Sequence, residues 1–256
     1  MAHHVLRSHG RAVPVIRGNI PEAEVGITLD QNYSFPASNS HEDRLAARRF
    51  ASWHNEWFLE PVFRGVYPAD MVAYLEPKGV FDKINRANIA EACVPIDFLG
   101  INYYTRNIVK HDEGNGLIDV DFVKNEEADH TLMGWEVYPD GLLHTLLYLR
   151  NAYHPPKIFI TENGCAYIDP EPENGTVDDP KRVDYYRLHL DAIDKAIALD
   201  VPVAGYFAWS FMDNFEWGHG YYQRFGLHHV DFETLERTPK KSALYYRDRI
   251  AQEKAK

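Results

Sequence analysis

Four short apolar runs punctuate the chain: Val25 to Leu29, Ile96 to Tyr103, Lys157 to Thr161 and Val203 to Trp209. Each is rich in β-branched or aromatic residues and lacks polar alternation. That is the pattern of a parallel strand covered on both faces. Helical periodicity fills the intervals. Residues 2 to about 17 read as a helix ended by Gly18-Asn19. His41 to Trp57 reads as a second, with Leu45, Phe50, Trp53 and Trp57 spaced as a core-facing stripe. Asp30 to Asn39 reads as a polar loop, Pro61 to Tyr67 as a turn region and Val80 to Glu91 as a poor, polar helix. After the second strand, Asn107 to Lys110 and Leu117 to Val123 flank a Gly114-Asn-Gly116 turn and predict a hairpin. Asp140 to Tyr153 predicts a helix stopped by Pro155-Pro156. The clearest helix is Lys181 to Leu199, with Asp179 as N-cap, Pro180 opening it, and Val183, Tyr186, Leu190, Ile193 and Ile197 on one side. Lys240 to Lys254 predicts a terminal helix on the outside of the sheet.

Strand and helix alternate, so the fold class is α/β with a parallel sheet. A complete (β/α)8 barrel takes about 250 residues, and the chain has 256. The count of strand runs is nonetheless four and not eight, which predicts half a barrel. No repeat, low-complexity tract or linker divides residues 1–256, so they form one expected unit. The balance of 27 basic and 38 acidic residues, net −11, disfavours a nucleic-acid partner. No apolar run approaches the length of about 20 residues needed to cross a membrane, and Met1-Ala-His-His-Val-Leu-Arg7 lacks the apolar core of a signal peptide. Two cysteines, Cys93 and Cys165, are too few for a disulfide framework and fit a reducing cytoplasm. Cys165 is expected to be a small buried filler.

The chemistry concentrates at the ends of the last two runs. Glu162 ends an apolar run and is followed at once by Asn163-Gly164, a common way to present an acid at a barrel mouth. The run ending at Trp209 opens into Ser210-Phe-Met-Asp-Asn-Phe-Glu-Trp217. Aromatic faces beside carboxylates suit a sugar ring, which offers CH faces to stack on and hydroxyls to donate. Glycoside cleavage usually takes two carboxylates with different jobs. The chain offers one clear nucleophile and no clear partner acid.

Four motifs carry a resemblance to glycoside hydrolase family 1, the β-glucosidase family. They are Gly100-Ile-Asn-Tyr-Tyr-Thr105, Ile160-Thr-Glu-Asn-Gly164, Trp209-Ser-Phe-Met-Asp-Asn-Phe-Glu-Trp217 and Gly220-Tyr-Tyr-Gln-Arg-Phe-Gly-Leu227. They stand in family order, and the resemblance runs from about residue 2 to 250. It covers the second half of a family member. The Asn-Glu-Pro motif that carries the family's acid/base is absent; Asn55-Glu56 and Asn125-Glu126 are the only Asn-Glu pairs. The resemblance implies the C-terminal half of a (β/α)8 TIM barrel, strands five to eight. It also places His3-His4 in the helix after the missing acid/base strand.

The resemblance implies that Glu162 is the nucleophile of a retaining β-glycosidase of β-glucosidase type. Tyr104 matches a tyrosine whose hydroxyl meets that carboxylate, and a phenol donating to the ionised form favours it. Asn102 matches a polar pocket residue nearby. Trp209 matches the floor of the sugar site, Glu216 and Trp217 match groups that bind sugar hydroxyls, and Phe225 matches a pocket wall. Relatives acting on 6-phosphorylated sugars carry Ser and Lys where this chain has Glu216 and Gln223, so the expected glycone is neutral. Arg224 is expected to be structural. No cofactor and no metal are expected. The expected partners are a β-glycoside or monosaccharide, and either further copies of the chain or a complementary N-terminal half. The competing expectation is an inert half barrel that self-associates and at most binds sugar weakly.

Overall fold

Helix α1 (Ala2–Asn19) buries His3, Leu6, Gly10 and Val13, spaced three and four apart along one face. His3 is thus part of the packed side, with Nδ1 3.0 Å from the Tyr67 hydroxyl. The computed structural model describes residues 1–255; Lys256, the last residue of the expected unit, lies outside them. Strands β1 (Gly26–Asp30) and β2 (Tyr33–Pro36) lead into α2 (His41–Ala51). The Ser40 hydroxyl caps α2 by accepting from the Asp43 N–H at 3.1 Å. A π-turn at Ser52–Glu56 carries the helix into α3 (Trp57–Arg64), and α4 (Ala69–Leu75) follows. Next come β3 (Phe98–Asn102), β4 (Arg106–His111), β5 (Val120–Val123) and α5 (Pro139–Tyr153). The chain finishes with β6 (Ile158–Asn163), α6 (Pro180–Ala198), β7 (Val203–Ala208), β8 (His228–Val230), β9 (Arg237–Pro239) and α7 (Lys241–Lys254).

The main sheet has four strands in the order β1-β3-β6-β7, every pair parallel. These are the four apolar runs of the sequence. One face is the core. Leu29, Ile101 and Ile160 are buried with Leu142, Leu146 and Leu149 of α5 and Leu190 and Ile193 of α6. The opposite face carries Phe98, Phe159 and Phe207, whose ring centroids are 5.3 and 6.3 Å apart in succession. Among the described residues no second layer covers that face, and Phe207 is 56% exposed. The sheet is therefore half of a barrel wall with its lining uncovered. Among the described residues no helix is long and apolar enough to cross a membrane.

Local departures from the expected elements have identifiable causes. The supposed polar loop contains β2, which pairs parallel with β4, while β4 and β5 form the expected antiparallel hairpin. Four residues ending in proline give too short an alternation to read. The helix expected to stop at Trp57 continues through Pro61 and ends at Gly65, whose φ of 69° is left-handed. The expected helix from Val80 is instead a 3₁₀ turn at Arg86–Ala92, and α4 fills a stretch that sequence patterning left unassigned. In the aromatic stripe Phe50 and Trp57 are core residues as expected, but Leu45 is 49% exposed. Asp179 stands at the N-cap of α6 without capping it through its side chain. Its carboxylate instead accepts from Arg182 at 2.6 Å and from the Ser242 hydroxyl at 2.5 Å.

Candidate active site

The C-terminal ends of β3, β6 and β7 lie side by side. Asn102 is in register with Glu162, and the Trp209 N–H donates to the Asn163 carbonyl at 2.9 Å. Asn102, Glu162 and Trp209, far apart in sequence, thus meet on neighbouring strands spaced about 4.8 Å apart. Glu162 is half-buried and belongs to the last turn of pleat of β6, where the register shifts. The Tyr104 hydroxyl donates to its Oε2 at 2.6 Å. Oε1 has no donor among the described residues. Burial, and then the bond to Glu162, push the Tyr104 phenol above its ordinary range, so Tyr104 stays a donor. Asn102 accepts from the Thr161 hydroxyl at 2.7 Å and keeps both amide donors unspent among the described residues.

Asn163, next to the carboxylate, is fully buried and holds this end of the strand. Its amide donates to the Tyr103 carbonyl at 2.7 Å and to the Tyr185 hydroxyl at 3.0 Å, and its carbonyl oxygen accepts from Tyr206 at 2.7 Å. Three elements therefore fix the residue that follows Glu162. Gly164 has a steric reason: a Cβ there would lie 1.8 Å from the Trp209 carbonyl oxygen. Any side chain would wedge β6 and β7 apart at the mouth. The Trp209–Ser210 peptide is cis.

Beyond Trp209 the chain forms the aromatic loop. The Trp209 indole stands near the Glu216 carboxylate and favours its ionised form. Burial pushes the Glu216 carboxyl above its usual range; His219 and the nearby Trp209 indole oppose this, and the Glu162 charge adds to it. Phe225 is 2% exposed and faces Tyr104 with ring centroids 6.3 Å apart. Trp135 completes this wall, 5.1 Å from Tyr104 and 6.1 Å from Phe225. Sequence reasoning missed Trp135 because it stands between β5 and α5 with no strand to announce it. Trp217 is not brought in: its ring is 81% exposed and has no ring contact or side-chain hydrogen bond among the described residues. Arg224 is structural as expected, donating to Asp213 at 2.7 Å and the Val230 carbonyl at 2.9 Å. Cys165 is fully buried, and burial pushes its thiol up, which suits a filler.

A carboxylate with one oxygen hydrogen-bonded and the other without a donor among the described residues, beside an aromatic wall and a second carboxylate, is an arrangement that can receive a sugar ring. Comparison with known proteins agrees in kind. The family model for glycosyl hydrolase family 1 matches residues 1–255. β-Glucosidase A of Thermotoga maritima is 38% identical over 245 residues, covering 95% of this chain and 54% of that protein. The β-glucosidase of an Agrobacterium species is 40% identical over 250 residues, covering 95% and 53% respectively. The crystal structure of the AHE enzyme from Alicyclobacillus herbarius superposes with a TM-score of 0.94 at 39% identity, over 99% of this chain and 56% of that one. The chain spans about half the length of the curated relatives it matches. With the parallel four-stranded sheet and the match from end to end of the described residues, this chain belongs to glycosyl hydrolase family 1 and forms half of its barrel.

Proposed function

We propose that this chain is the nucleophile-bearing half of a retaining β-glycosidase acting on neutral, glucose-like terminal residues. The observation that carries the reading is the Tyr104 hydroxyl 2.6 Å from Glu162 Oε2 at the end of β6, with Oε1 left free. Glu162 Oε1 attacks the anomeric carbon as the bond to the leaving oxygen breaks, and a covalent glycosyl ester forms. Water then cleaves the ester and returns the carboxylate. Asn102 donates to a ring hydroxyl, Trp209 and Phe225 supply apolar surface, and Glu216 accepts from sugar hydroxyls. Trp217 joins them only if its exposed ring turns inward when sugar binds. A carboxylate at 216 and a neutral Gln223 argue against a phosphorylated sugar. Two free cysteines fit a cytoplasmic setting.

The test is covalent trapping. A 2-deoxy-2-fluoro-β-glucosyl fluoride loses fluoride without needing a proton donor, and its ester turns over slowly. The expected result is a mass gain of one fluoroglucosyl group on the peptide containing Glu162, absent from Glu162→Ala. Label on another carboxylate would refute the assignment.

The same reading includes a partner. Among the described residues β1 and β7 each pair on one side only within the main sheet, and the lining Phe98, Phe159 and Phe207 have no opposite wall. Open edges beside an exposed aromatic face favour association. Either a second copy or a complementary N-terminal half of the family barrel fits. Sedimentation of the purified chain is expected to show a species heavier than one chain that dissociates on addition of a complementary half. A single-chain species at all concentrations would refute the partner.

A further inference from the structure

Behind the site lies a chain of charges closed to solvent. Arg182 and Lys240 have fully buried side chains, and those of Asp169, Asp179 and Asp213 are 2% exposed or less. Arg224, 25% exposed, ends the chain and balances three cations against three carboxylates. Lys240 bridges Asp169 and Asp213 at 2.5 and 2.9 Å. Arg182 bridges Asp169 and Asp179 at 2.7 and 2.6 Å. Buried charge carries a desolvation cost that well-packed apolar side chains avoid, so the network is poor evidence of stabilisation alone. What it connects is specific. Asp169 follows β6, the strand that carries Glu162, whereas Asp213 lies in the loop that carries Glu216 and Phe225.

Asp213 closes that loop on itself. Its Oδ1 accepts from the Gly226 N–H at 2.9 Å and its Oδ2 from Arg224 at 2.7 Å. A Cβ on Gly226 would lie 2.0 Å from the Asp213 nitrogen, so the two backbones are in contact. Arg182 then spans both halves of the site directly. Its Nε donates to the Cys165 carbonyl at 3.3 Å and its Nη2 to the Arg224 carbonyl at 2.9 Å. Cys165 stands three residues after Glu162, and Arg224 immediately precedes Phe225. One planar guanidinium is hydrogen-bonded to the backbone on both sides of the cleft.

We propose that Arg182 is a positioning residue that sets the spacing between the Glu162 strand end and the sugar-facing loop, with Lys240 as its second tie. The inference rests on the reading of Glu162 as nucleophile. Arg182→Lys keeps the charge and loses the fork that reaches both carbonyls. Ser242→Ala is the control for mere destabilisation, because it removes a partner of Asp179 on the far side of Arg182 and touches neither carbonyl.

The trapping reaction reads the effect in the purified chain. A misplacement of about 1 Å at the reacting atoms costs roughly 10²-fold in rate. Arg182→Lys is expected to slow the maximal rate of Glu162 labelling by about that factor with little change in the concentration for half-maximal rate. Ser242→Ala is expected to lower the urea midpoint and label at the wild-type rate. Hydrogen exchange gives a second reading that needs no chemistry: the Gly226 and Leu227 amides should lose protection in Arg182→Lys while those of β1 and β3 keep it. Wild-type labelling by Arg182→Lys, slowing in both variants in proportion to lost stability, or uniform loss of protection would each overturn the proposal. Failure of the wild-type chain to label would refute the nucleophile reading instead, and the exchange pattern would still decide whether Arg182 ties the loop.

Discussion

Cellobiose is expected to survive incubation with the isolated chain, whereas a dinitrophenyl β-glucoside is expected to be cleaved slowly, and Glu162→Ala should remove that residual rate. The difference lies in the leaving group. A sugar alkoxide departs only if protonated, and general acid assistance is typically worth about 10²–10⁴-fold. A dinitrophenolate departs unaided. At the mouth Glu162 is the proposed nucleophile, and the Glu162 charge acts on one neighbouring carboxyl, that of Glu216. Burial moves Glu216 in the direction an acid needs, but the neighbouring His219 and Trp209 favour its ionised form. Glu216→Gln is therefore expected to raise KM for the aryl glycoside and leave the dependence of kcat on leaving-group acidity unchanged. Adding a complementary half that brings its own acid should raise the cellobiose rate by about the same 10²–10⁴-fold. Efficient cellobiose turnover by the partner-free chain, lost in Glu216→Gln, would make Glu216 the acid and overturn this account.

The parts legible in the sequence are those where one physical demand dominates. A strand buried on both faces must be apolar throughout, so all four barrel strands could be read, and their ends located Asn102, Glu162 and Trp209 within a residue or two. Helix α6 could be read because Pro180 opens it and Tyr186, Leu190 and Ile193 share its buried side. Legibility fails where tertiary contacts override local preference. β2 exists because β4 offers it a partner, and nothing in Tyr33–Pro36 alone announces a strand. Asp179 has the residue type and place of a cap, but Arg182 and Ser242 compete for its carboxylate and win. Around the site, the family motifs identified the groups expected to touch sugar and were silent on what holds them. Asn163 is a neighbour of Glu162 in sequence, yet its role depends on Tyr103, Tyr185 and Tyr206, which only the fold assembles. Trp135 reaches the wall from a loop whose path no periodicity encodes. Trp217 errs the other way: its motif is intact, and its ring stands in solvent.

His189 is expected to make the fold sensitive to acid. It is fully buried on α6, stacked on Tyr185 with ring centroids 4.0 Å apart. Nδ1 lies 2.8 Å from the Tyr185 carbonyl oxygen, which can only accept, so Nδ1 carries the proton of the neutral ring. Nε2 is buried without a partner among the described residues. Protonating it would place a charge and an unpaired N–H in the interior, and burial accordingly lowers the pKa from 6.5 to about 4. The folded pKa lies below the unfolded one, so the unfolded chain takes up the proton first as pH falls. The stability tied to neutral His189 is whole above pH 6.5, declines as pH drops, and is gone below about 4. At about 1.4 kcal/mol per tenfold, the loss across that window is about 3 kcal/mol. Burial lowers the pKa of His9 as well and adds to the loss with the same sign. Urea unfolding midpoints measured from pH 7.5 to 4 should fall steeply for the wild-type chain. His189→Leu should be less stable at pH 7.5, because the Tyr185 carbonyl loses the imidazole as its second donor and the Tyr185 ring loses its stacking partner, and its midpoint should fall less steeply with acid. Parallel curves for the two proteins would show that the charge on His189 is not what the interior excludes.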